Sequence, residues 1–315
     1  MKKKDKIFIA GHKGMVGSAI FRLLDKRGYR NIIIRSRDQL DLLNQNDVQN
    51  FFNHIKPKFV FVAAAKVGGV YANNTYRAQF LYENLVIQNN IIHSAYMSNT
   101  EKLLFLGSAC IYPKEIEQPI IEEYLLSNSL EPTNEPYAIA KIAGIKLCEN
   151  YFNQYGKNFI SIMPNNLFGT NDNFDLKTSH VLPALLRKFH EAKLNNSDFV
   201  EIWGTGKPMR EFLYVDDLAD ASVFLMKNLN AQDLHKMRIS HINVGSGFEI
   251  SIRDLALLIK GIVKYKGKMK FNKNFPDGMQ RKLLDTTRIK NLGWVPKTNL
   301  EDGIKSVYNW YCKKN

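Results

Sequence analysis

The chain has 315 residues, of which 45% are hydrophobic and 23% charged, as in an ordinary globular enzyme with one large or two smaller domains. Its 44 Lys and Arg residues outnumber its 30 Asp and Glu residues, so the formal net charge is +14. The basic residues are scattered, which favours a solvated basic surface over a nucleic-acid-binding site.

The cysteines and the lengths of the apolar runs indicate the cellular compartment of the protein. Cys110, Cys148 and Cys312 are widely spaced and odd in number, which argues against a disulfide framework and favours a reducing environment. The apolar run after the basic N-terminus is too short for a signal peptide, and no stretch reaches the ~20 apolar residues of a membrane span. We therefore expect a soluble, cytoplasmic protein that binds neither membranes nor nucleic acid.

A glycine-rich loop follows the first predicted strand, residues 7–10. The loop consists of Gly11, His12, Lys13, Gly14, Met15, Val16 and Gly17. The apolar residues after it repeat at helical spacing as far as Lys26. Glycines between a strand and a helix let a pyrophosphate approach the N–H groups of the helix N-terminus. The G-x-x-G-x-x-G spacing also suits a plain glycine turn, but in this position it predicts a dinucleotide site.

The second predicted strand, residues 31–34, bears on the choice between NAD and NADP. NAD-selective enzymes commonly place an acidic residue at the end of this strand to hold the ribose 2′-hydroxyl. Here Arg35 and Arg37 follow the strand, and together with Lys13 they suit a 2′-phosphate. Asp38 leaves NAD open, but the pattern favours NADP(H).

Strands and helices continue to alternate along the first half of the chain. Apolar strands are predicted at residues 59–65, 103–106 and 159–163, and helices at residues 46–55, 84–96 and 137–155. This alternation predicts an α/β fold with a Rossmann-type doubly wound parallel sheet. We expect an NADP-binding domain over residues 1–170, with return segments near residues 210–246. A smaller C-terminal substrate-binding α/β lobe is expected over residues 171–315.

The predicted elements of the C-terminal lobe are less regular. Helices are expected at residues 179–193 and 251–263 and from Asn299 onward, and strands at residues 199–204 and 241–245. Asp216 and Asp217 precede an apolar run over residues 218–229. We interpret this pair as a helix start with a capping carboxylate at or near the N-cap, rather than as catalytic or metal-binding groups.

Chemically capable side chains are concentrated around the fourth predicted strand and the helix after it. Ser108 follows that strand, Cys110 comes two residues later, and Tyr137 precedes Lys141 by four positions. A Tyr-x-x-x-Lys pair occurs by chance in many helices. Its combination with the glycine loop and Ser108 points to a reductase.

These motifs resemble the extended short-chain dehydrogenase/reductase family that acts on nucleotide sugars. The shared pattern covers essentially the whole chain and comprises Gly11-x-x-Gly14-x-x-Gly17, Ser108, Tyr137-x-x-x-Lys141, Pro164-x-Asn166-x-x-Gly169, Trp203-Gly204-x-Gly206 and Arg210-Glu211-Phe212-x-x-Val215-Asp216-Asp217. Longer strings at residues 63–69, 107–113, 131–141 and 179–181 resemble, more narrowly, the GDP-L-fucose synthase group of that family. Members of that group are NADPH-dependent 3,5-epimerase/4-reductases that convert GDP-4-keto-6-deoxy-D-mannose to GDP-L-fucose.

The resemblance implies roles for five catalytic side chains. Tyr137 would protonate the C4 oxygen, Ser108 would hydrogen-bond the same oxygen, and NADPH would supply the hydride. A free phenol has a pKa near ~10, and we expect the ammonium of Lys141 to bring the pKa of Tyr137 towards neutrality. Cys110 would act as the base and His180 as the acid in epimerisation. A small buried thiol and an ordinary histidine at a helix start are the structural alternatives for this pair.

The resemblance also implies which residues line the ligand sites. The cofactor would be held by Gly11, His12, Lys13, Gly14, Met15, Val16, Gly17, Arg37, Asp41, Leu42, Leu106, Gly107, Ser108, Ala109, Lys141, Pro164, Asn165, Asn166, Leu167 and His180. The GDP-sugar would meet Lys188, Trp203, Arg210, Asp277 and Lys282. Arg210 and Lys282 suit a pyrophosphate, and Trp203 offers an apolar wall. Ala109 and Lys188 depart modestly from relatives, which can carry serine and arginine there.

Family members are commonly homodimers that assemble through a four-helix bundle, here expected to involve the helices near residues 84–96 and 137–155. The main alternative is a sibling enzyme that acts on another GDP-4-keto sugar, such as a heptose, or that reduces C4 without epimerisation. A more distant alternative is a non-catalytic nucleotide- or RNA-binding protein that uses the basic surface.

Overall fold

The computed structural model of the chain describes residues 1–275 and 277–314. The strands are β1 Ile7–Ala10, β2 Ile32–Ile33, β3 Phe59–Val62, β4 Lys102–Leu106, β5 Asn158–Pro164, β6 Asn166–Phe168, β7 Phe199–Trp203, β8 Met209–Tyr214, β9 Ile242–Val244, β10 Glu249–Ser251 and β11 Lys268–Asn272. The helices are α1 Met15–Lys26, α2 Gln45–Ile55, α3 Val70–Thr75, α4 Arg77–Met97, α5 Glu135–Tyr155, α6 Val181–Leu194, α7 Val215–Asn228, α8 Ala231–Lys236, α9 Ile252–Val263, α10 Thr287–Asn291 and α11 Leu300–Lys314.

The central sheet has six strands in the order β2-β1-β3-β4-β5-β9, and every neighbouring pair is parallel. The chain leaves β1 to form β2 on one side and then returns to form β3 on the other. This reversal beside β1 is the topological switch point, at which doubly wound sheets bind their ligands. The predicted Rossmann-type fold is confirmed.

Alternation along each central strand divides the first domain into two packed faces. Ile7 and Ile9 point into one core with α1 and α7, whereas Phe8 and Ala10 point into a second core with α2, α4 and α5. Side chains alternate across a sheet with period two, so a strand apolar at every position must be covered on both faces. The continuous apolar runs in the sequence therefore become the buried centre of a three-layer sandwich.

Two small sheets lie outside the central sheet. One has the order β10-β8-β6, and the other pairs β11 with β7. A third core lies here, where Leu186 and Phe189 of α6 contact α9, α11 and the lobe strands. Strand β8 then leads directly into α7, which packs against α1 of the first domain.

The start of α7 corrects one expectation from the sequence. The helix begins at Val215 after Tyr214, and no side chain caps its N-terminus. Asp217 instead accepts hydrogen bonds from the backbone N–H groups of Lys297 and Thr298, at 3.2 and 2.9 Å, and Asp216 pairs with Arg22 of α1 at 2.8 Å. Both carboxylates lie inside the first helical turn, so they tie neighbouring segments together rather than cap the helix.

The lengths of several elements also differ from the expectations. Helix α4 begins at Arg77, seven positions before the predicted start, and β2 contains two residues. Strands β6, β8, β10 and β11 were not predicted, because the strands that they pair with are distant in sequence. Helices α3, α8 and α10 were not predicted because each has only five or six residues. No helix in the described part of the chain is long and apolar enough to cross a membrane.

A buried polar network lies beside β9. The ring of His241 is fully buried, with Nε2 2.7 Å from the hydroxyl of Tyr112 and Nδ1 3.0 Å from Oγ of Ser240. The Tyr112 hydroxyl also donates to Oδ1 of Asn243. Burial, with a smaller contribution from the charges of Lys146 and Arg288, lowers the pKa of His241 to about 3.

This network predicts a pH-dependent stability. In the unfolded chain His241 becomes protonated near pH 6.5, whereas in the folded protein its ring stays neutral until the pH falls to about 3. Stability therefore falls as the pH drops through this window, by about 1–2 kcal/mol between pH 6.5 and 5. The free energies of unfolding of the wild type and His241→Gln, measured with urea at several pH values, should converge as the pH falls. Parallel curves would contradict the assignment.

Candidate active site

The residues expected to hold a cofactor lie along the carboxyl edge of the central sheet. The glycine loop joins β1 to α1, Leu106 to Ala109 leave β4, and Pro164 to Leu167 join β5 to β6. In a parallel sheet the carboxyl ends of neighbouring strands meet at one edge, so segments far apart in the sequence are brought together here. The cleft between this edge and the C-terminal lobe is the candidate active site.

The glycine loop has the shape of an anion cradle. Gly11 has φ +87°, and a Cβ added to it would lie 2.6 Å from the backbone nitrogen of Ala64, at the end of β3. A Cβ added to Gly17 would lie 2.6 Å from the carbonyl carbon of Gly11. The N-terminus of α1 follows the loop directly and has no side-chain cap, so its first N–H groups are not taken by a capping side chain.

Positive side chains follow β2, where an adenosine ribose would lie in this fold. Arg35 is held by a 2.8 Å hydrogen bond from Nη1 to the carbonyl of Ile34, with its guanidinium over the ring of Phe51. Arg37 is exposed and lies 3.9 Å from the carboxylate of Asp41. Leu42 lies beside them, and its carbonyl accepts from Nδ2 of Asn90 at 2.9 Å. Two guanidinium groups therefore lie just after the end of β2.

Ser108 and Cys110 lie where β4 ends. Gly107 is still hydrogen-bonded to the sheet, and a short 3-10 turn over Ala109–Ile111 begins after Ser108. The turn directs Cys110 back beside Ser108, which hydrogen-bonds its thiol. Burial raises the pKa of Cys110, whereas the charges of Lys282 and Lys141 lower it to a smaller extent.

Tyr137 and Lys141 occupy successive turns at the start of α5, on the side that faces β4. The Lys141 ammonium lies 5.8 Å from the centre of the Tyr137 ring and donates a 2.8 Å hydrogen bond to the carbonyl of Leu106. Burial lowers the pKa of Lys141 to about 8. Burial also raises the pKa of Tyr137, and the neighbouring Cys110 raises it further. The expectation that Lys141 lowers the pKa of Tyr137 towards neutrality is wrong for the free protein, because both groups are desolvated.

His180 comes from the other side of the cleft, immediately before α6. The loop before it is held by the first domain, since Gly69 donates a 2.7 Å hydrogen bond to the carbonyl of Thr178. A Cβ on Gly69 would lie 2.7 Å from the carbonyl oxygen of Ser179, so the two loops are in close contact. His180 keeps a solvent-exposed edge, but the surrounding protein and the charge of Lys282 lower its pKa.

An aromatic and cationic stack lies further along the C-terminal lobe. The ring of Trp203 stacks on Phe275 with centroids 4.3 Å apart and planes 10° apart. The ammonium of Lys188 lies 4.6 Å from the centre of the Trp203 ring and donates to the carbonyl of Glu201 at 3.1 Å. Trp203 remains half exposed. This is a partly open apolar surface beside a positive charge.

Arg210 and Asp277 lie between this stack and the cleft. Arg210 is anchored through a 2.8 Å hydrogen bond from Nη1 to the carbonyl of Met209. Asp277 accepts from the backbone N–H and hydroxyl of Thr205 at 2.6 and 2.7 Å. The side chain of Asp277 therefore shapes the turn after Trp203 and also lowers the local positive charge.

Lys282 reaches the cleft from the segment before α10. Burial lowers the pKa of Lys282, and the charge of Arg210 lowers it further, while Cys110 opposes both. The carbonyl of Lys282 accepts a 3.3 Å hydrogen bond from Nδ2 of Asn165. Asn166 follows, with Nδ2 2.9 Å from the backbone carbonyl of Glu211.

The structure thus brings the catalytic candidates Ser108, Cys110, Tyr137 and Lys141 together at the end of β4, with His180 entering from α6. Three contributors were missed from the sequence as functional residues: Thr205, Phe275 and Glu211. Thr205 is the unspecified position of the Trp203-Gly204-x-Gly206 string, and Phe275 belongs to a turn with no recognisable motif. Glu211 lies in the Arg210-Glu211-Phe212 string and was overlooked because no chemistry was attached to it. Among the described residues no group of three His, Cys, Asp or Glu side chains could hold a metal ion.

The fold and this cleft define a nucleotide-dependent enzyme of the α/β class, and residues 7–245 match the NAD dependent epimerase/dehydratase family. The chain belongs to that family. It is 54% identical over 312 residues to GDP-L-fucose synthase of Escherichia coli (strain K12), which covers 98% of this chain and 97% of the relative.

Solved structures show the same similarity in three dimensions. A GDP-6-OMe-4-keto-L-xylo-heptose reductase from C. jejuni is 44% identical, with a TM-score of 0.95 over 100% of this chain and 99% of its own. A GDP-D-glycero-L-gluco-heptose synthase from Campylobacter jejuni, solved in the presence of NADPH, is also 44% identical, with a TM-score of 0.93 over 99% of each chain.

The glycine loop predicts a selective effect on dinucleotide binding. Gly17→Ala should weaken NADPH binding by about tenfold or more, because the new Cβ forces the Gly11 carbonyl out of the phosphate cradle. Fluorescence titration of NADPH measures the dissociation constant. Gly261→Ala on α9, where an added Cβ meets nothing within 4 Å, is the control and should bind normally. An unchanged dissociation constant in Gly17→Ala would show that the loop holds no pyrophosphate.

Proposed function

We propose that the protein converts GDP-4-keto-6-deoxy-D-mannose to GDP-L-fucose by epimerisation at C3 and C5 followed by NADPH-dependent reduction at C4. The observation that supports this most directly is the position of Cys110. A thiol lies against Ser108 and within electrostatic reach of Tyr137 and Lys141. A plain ketone reductase needs no such thiol. Similarity to a GDP-L-fucose synthase over nearly the full length supports the same substrate.

The residues present fit NADP(H). The cradle at Gly11 and Gly17 has no room for side chains, and the uncapped α1 N-terminus offers N–H donors for a pyrophosphate. Arg35 and Arg37 suit a 2′-phosphate, which forms charge-assisted hydrogen bonds with guanidinium groups. When bound, NADPH would supply the hydride for the C4 carbon. Residues 1–170 with the return segment 210–246 would form the cofactor domain, and the remainder of 171–315 the substrate lobe.

Reduction places three demands on the side chains near the C4 oxygen. Burial keeps the phenol of Tyr137 protonated at neutral pH, so it can donate a proton to the developing alkoxide. Ser108 would donate a second hydrogen bond to the same oxygen. The ammonium of Lys141 would stabilise the phenolate that Tyr137 becomes, and would orient the nicotinamide ribose.

Epimerisation requires a base on one face of the sugar and an acid on the other. The C4 ketone acidifies the hydrogens on C3 and C5, and Cys110 would remove them as a thiolate. His180, from the opposite wall, would return a proton to the other face. Lys282 lies within electrostatic range of both groups and favours the thiolate at Cys110. Removing the proton from one face and returning a proton to the other inverts the configuration at that carbon.

The GDP moiety would lie along the C-terminal lobe. Arg210 and Lys282 would neutralise the pyrophosphate, and each lies close enough to the other for its charge to be felt. Trp203 with Lys188 above it would form an apolar wall for the nucleoside. Asp277 would act through the turn that it shapes at Thr205.

A homodimer through α4 and α5 is the assembly we propose. The two helices pack side by side, and together they leave apolar side chains exposed at Tyr82, Met97, Ile139 and Tyr155. Packing against the same helices of a second copy would bury these in a four-helix bundle. We also propose a cytoplasmic location, because the three cysteines are free thiols, as expected in a reducing compartment.

A second candidate is a sibling reductase for a GDP-linked 4-keto heptose. The overall similarity to the heptose reductase structure, at a TM-score of 0.95, favours it. Both substrates share the GDP group and the C4 ketone, so they make the same demands on Ser108, Tyr137 and Lys141. They differ in the sugar C6 substituent and in whether C3 and C5 are inverted.

Product analysis distinguishes the two candidates. The purified protein, incubated with GDP-4-keto-6-deoxy-D-mannose and NADPH, should oxidise NADPH and release GDP-L-fucose, identified by NMR. A product reduced at C4 but unchanged at C3 and C5 would overturn the epimerase half of the proposal. Turnover only with a GDP-4-keto heptose would favour the sibling enzyme. No NADPH oxidation with any keto sugar, together with salt-sensitive RNA binding, would indicate a non-catalytic protein.

The role of Cys110 gives a separate prediction. Cys110→Ser should slow deuterium incorporation at C3 and C5 from D₂O by about 100-fold or more, because an alkoxide base is far harder to form than a thiolate. Hydride transfer to C4 should survive, because Ser108, Tyr137 and Lys141 are intact. Cys312→Ser removes an exposed thiol elsewhere and should exchange normally. Wild-type exchange in Cys110→Ser would assign the base to another group.

A further inference from the structure

Glu211 is a fully buried carboxylate with no part in the proposed chemistry. It follows Arg210 on β8, and its side chain is enclosed by the segments at Asn165, Gly247 and Leu284. Burial raises the pKa of Glu211, and the hydrogen bonds that it accepts lower it to a smaller extent. Burying a carboxylate this completely costs free energy. Its presence here therefore suggests that its position serves a function.

The two oxygens of Glu211 join three segments that are distant in sequence. Oε1 accepts from the backbone N–H of Gly247 at 2.7 Å, and Oε2 accepts from that of Leu284 at 3.0 Å. Oε2 also accepts from Nδ2 of Asn165, which in turn reaches the carbonyl of Lys282. The carboxylate therefore holds the Lys282 segment from behind, on both sides of Leu283.

A second clasp holds the same segment from the side of Cys110. Gln118 Oε1 accepts from the N–H of Leu283 at 2.8 Å, and Ile120 forms an isolated parallel bridge with Leu284. The N–H of Ile120 donates to the carbonyl of Leu283, and the N–H of Asp285 donates to the carbonyl of Ile120, each at 2.8 Å. Hydrogen bonds therefore join the segment that follows Cys110 to the segment that contains Lys282.

The consequence of this fastening is electrostatic. Lys282 is the largest favourable charge acting on the Cys110 thiolate, ahead of Lys141, while Ser108 contributes a hydrogen bond. Tyr137 faces the same thiol, and Arg210 and Glu131 face Lys282. Charge interactions in a desolvated cleft are strong, so a small change in separation changes their energy appreciably. A small displacement of the Lys282 backbone would change the charge felt by Cys110 and His180.

We propose that Glu211 is a positioning residue: its carboxylate fixes the Lys282 segment behind the cleft and so keeps the Lys282 ammonium beside Cys110. The inference rests on the proposed role of Cys110 as the base, but its physical content concerns the reactivity of one thiol. Both carboxylate oxygens are needed. An amide at position 211 would turn an NH₂ group towards one of the N–H donors and release either Gly247 or Leu284.

Alkylation of Cys110 tests the proposal without using turnover. The full-length protein is treated with iodoacetamide across a range of pH, and the rate at each cysteine is followed by peptide mass spectrometry. Only the thiolate reacts, so the rate at neutral pH reports the thiolate fraction. Lys282→Met should slow alkylation of Cys110 at pH 7 by about tenfold, and Glu211→Gln by about three- to tenfold. Exposed Cys312, in the same molecule, should react at an unchanged rate.

The double variant decides whether Glu211 acts through Lys282. Glu211→Gln combined with Lys282→Met should react no more slowly than Lys282→Met alone, because the charge that Glu211 positions is already absent. Glu301→Gln on α11 removes an exposed carboxylate and should leave the rate unchanged, which controls for the loss of one negative charge. Additive slowing in the double variant, or a folded Glu211→Gln with a wild-type rate, would overturn the proposal.

A further variant covers the case in which Glu211→Gln does not fold. Gln118→Leu removes the second clasp on Leu283 and should also slow alkylation of Cys110, whereas Gln118→Glu keeps an acceptor and should restore the rate. A folded Gln118→Leu with a wild-type rate would overturn the fastening mechanism. If Cys110→Ser shows normal deuterium exchange while these alkylation rates behave as expected, the catalytic role of Cys110 fails and the positioning role of Glu211 stands.

Discussion

The ionisable groups at the carboxyl edge of the parallel sheet are buried or partly buried, and desolvation is the largest influence on their pKa values. The pKa values of Tyr137 and Cys110 are raised, and those of Lys141 and Lys282 are lowered. Each shift favours the uncharged form. In the free protein, acidic and basic side chains therefore lie close together without forming ion pairs with one another. A bound dinucleotide and a GDP-sugar would bring the charge that completes the balance.

Close backbone packing makes this desolvated edge possible. Gly11 and Gly17 let the first loop fold against itself and against Ala64, and Gly69 lets the loop after β3 touch the segment before His180. A Cβ at any of these positions would separate segments that must be in contact. The glycines thus allow two chain segments, and not only a ligand, to approach the same point. Cys110 at the end of β4 and His180 before α6 are consequently brought near the same side chain, Lys282.

The sequence supported predictions wherever a local pattern has a single physical outcome. Continuous apolar runs bounded by glycine, alternating with helical periodicity, predicted the parallel sheet and its topology. The family resemblance of these motifs predicted that Ser108, Cys110, Tyr137 and Lys141 form one site, and the structure brings them together at the end of β4. The local pattern failed at Asp216 and Asp217, where two carboxylates before an apolar run suggested a cap. Their partners, Arg22 and residues 297–298, are too distant in sequence for any local pattern to reveal.

Residue types and their spacing by themselves determined the fold class, the dinucleotide loop and the chemical groups available for a reductase with a nearby thiol. Tertiary structure alone decided how those groups are charged. Tyr137 and Lys141 are one helical turn apart in any α-helix, and that spacing suggested a lowered phenol pKa. The surrounding protein reverses the direction, because burial depends on every segment that covers the pair. For the same reason the Lys282 segment and its clasp at Glu211 became visible only when the distant chain segments were seen together.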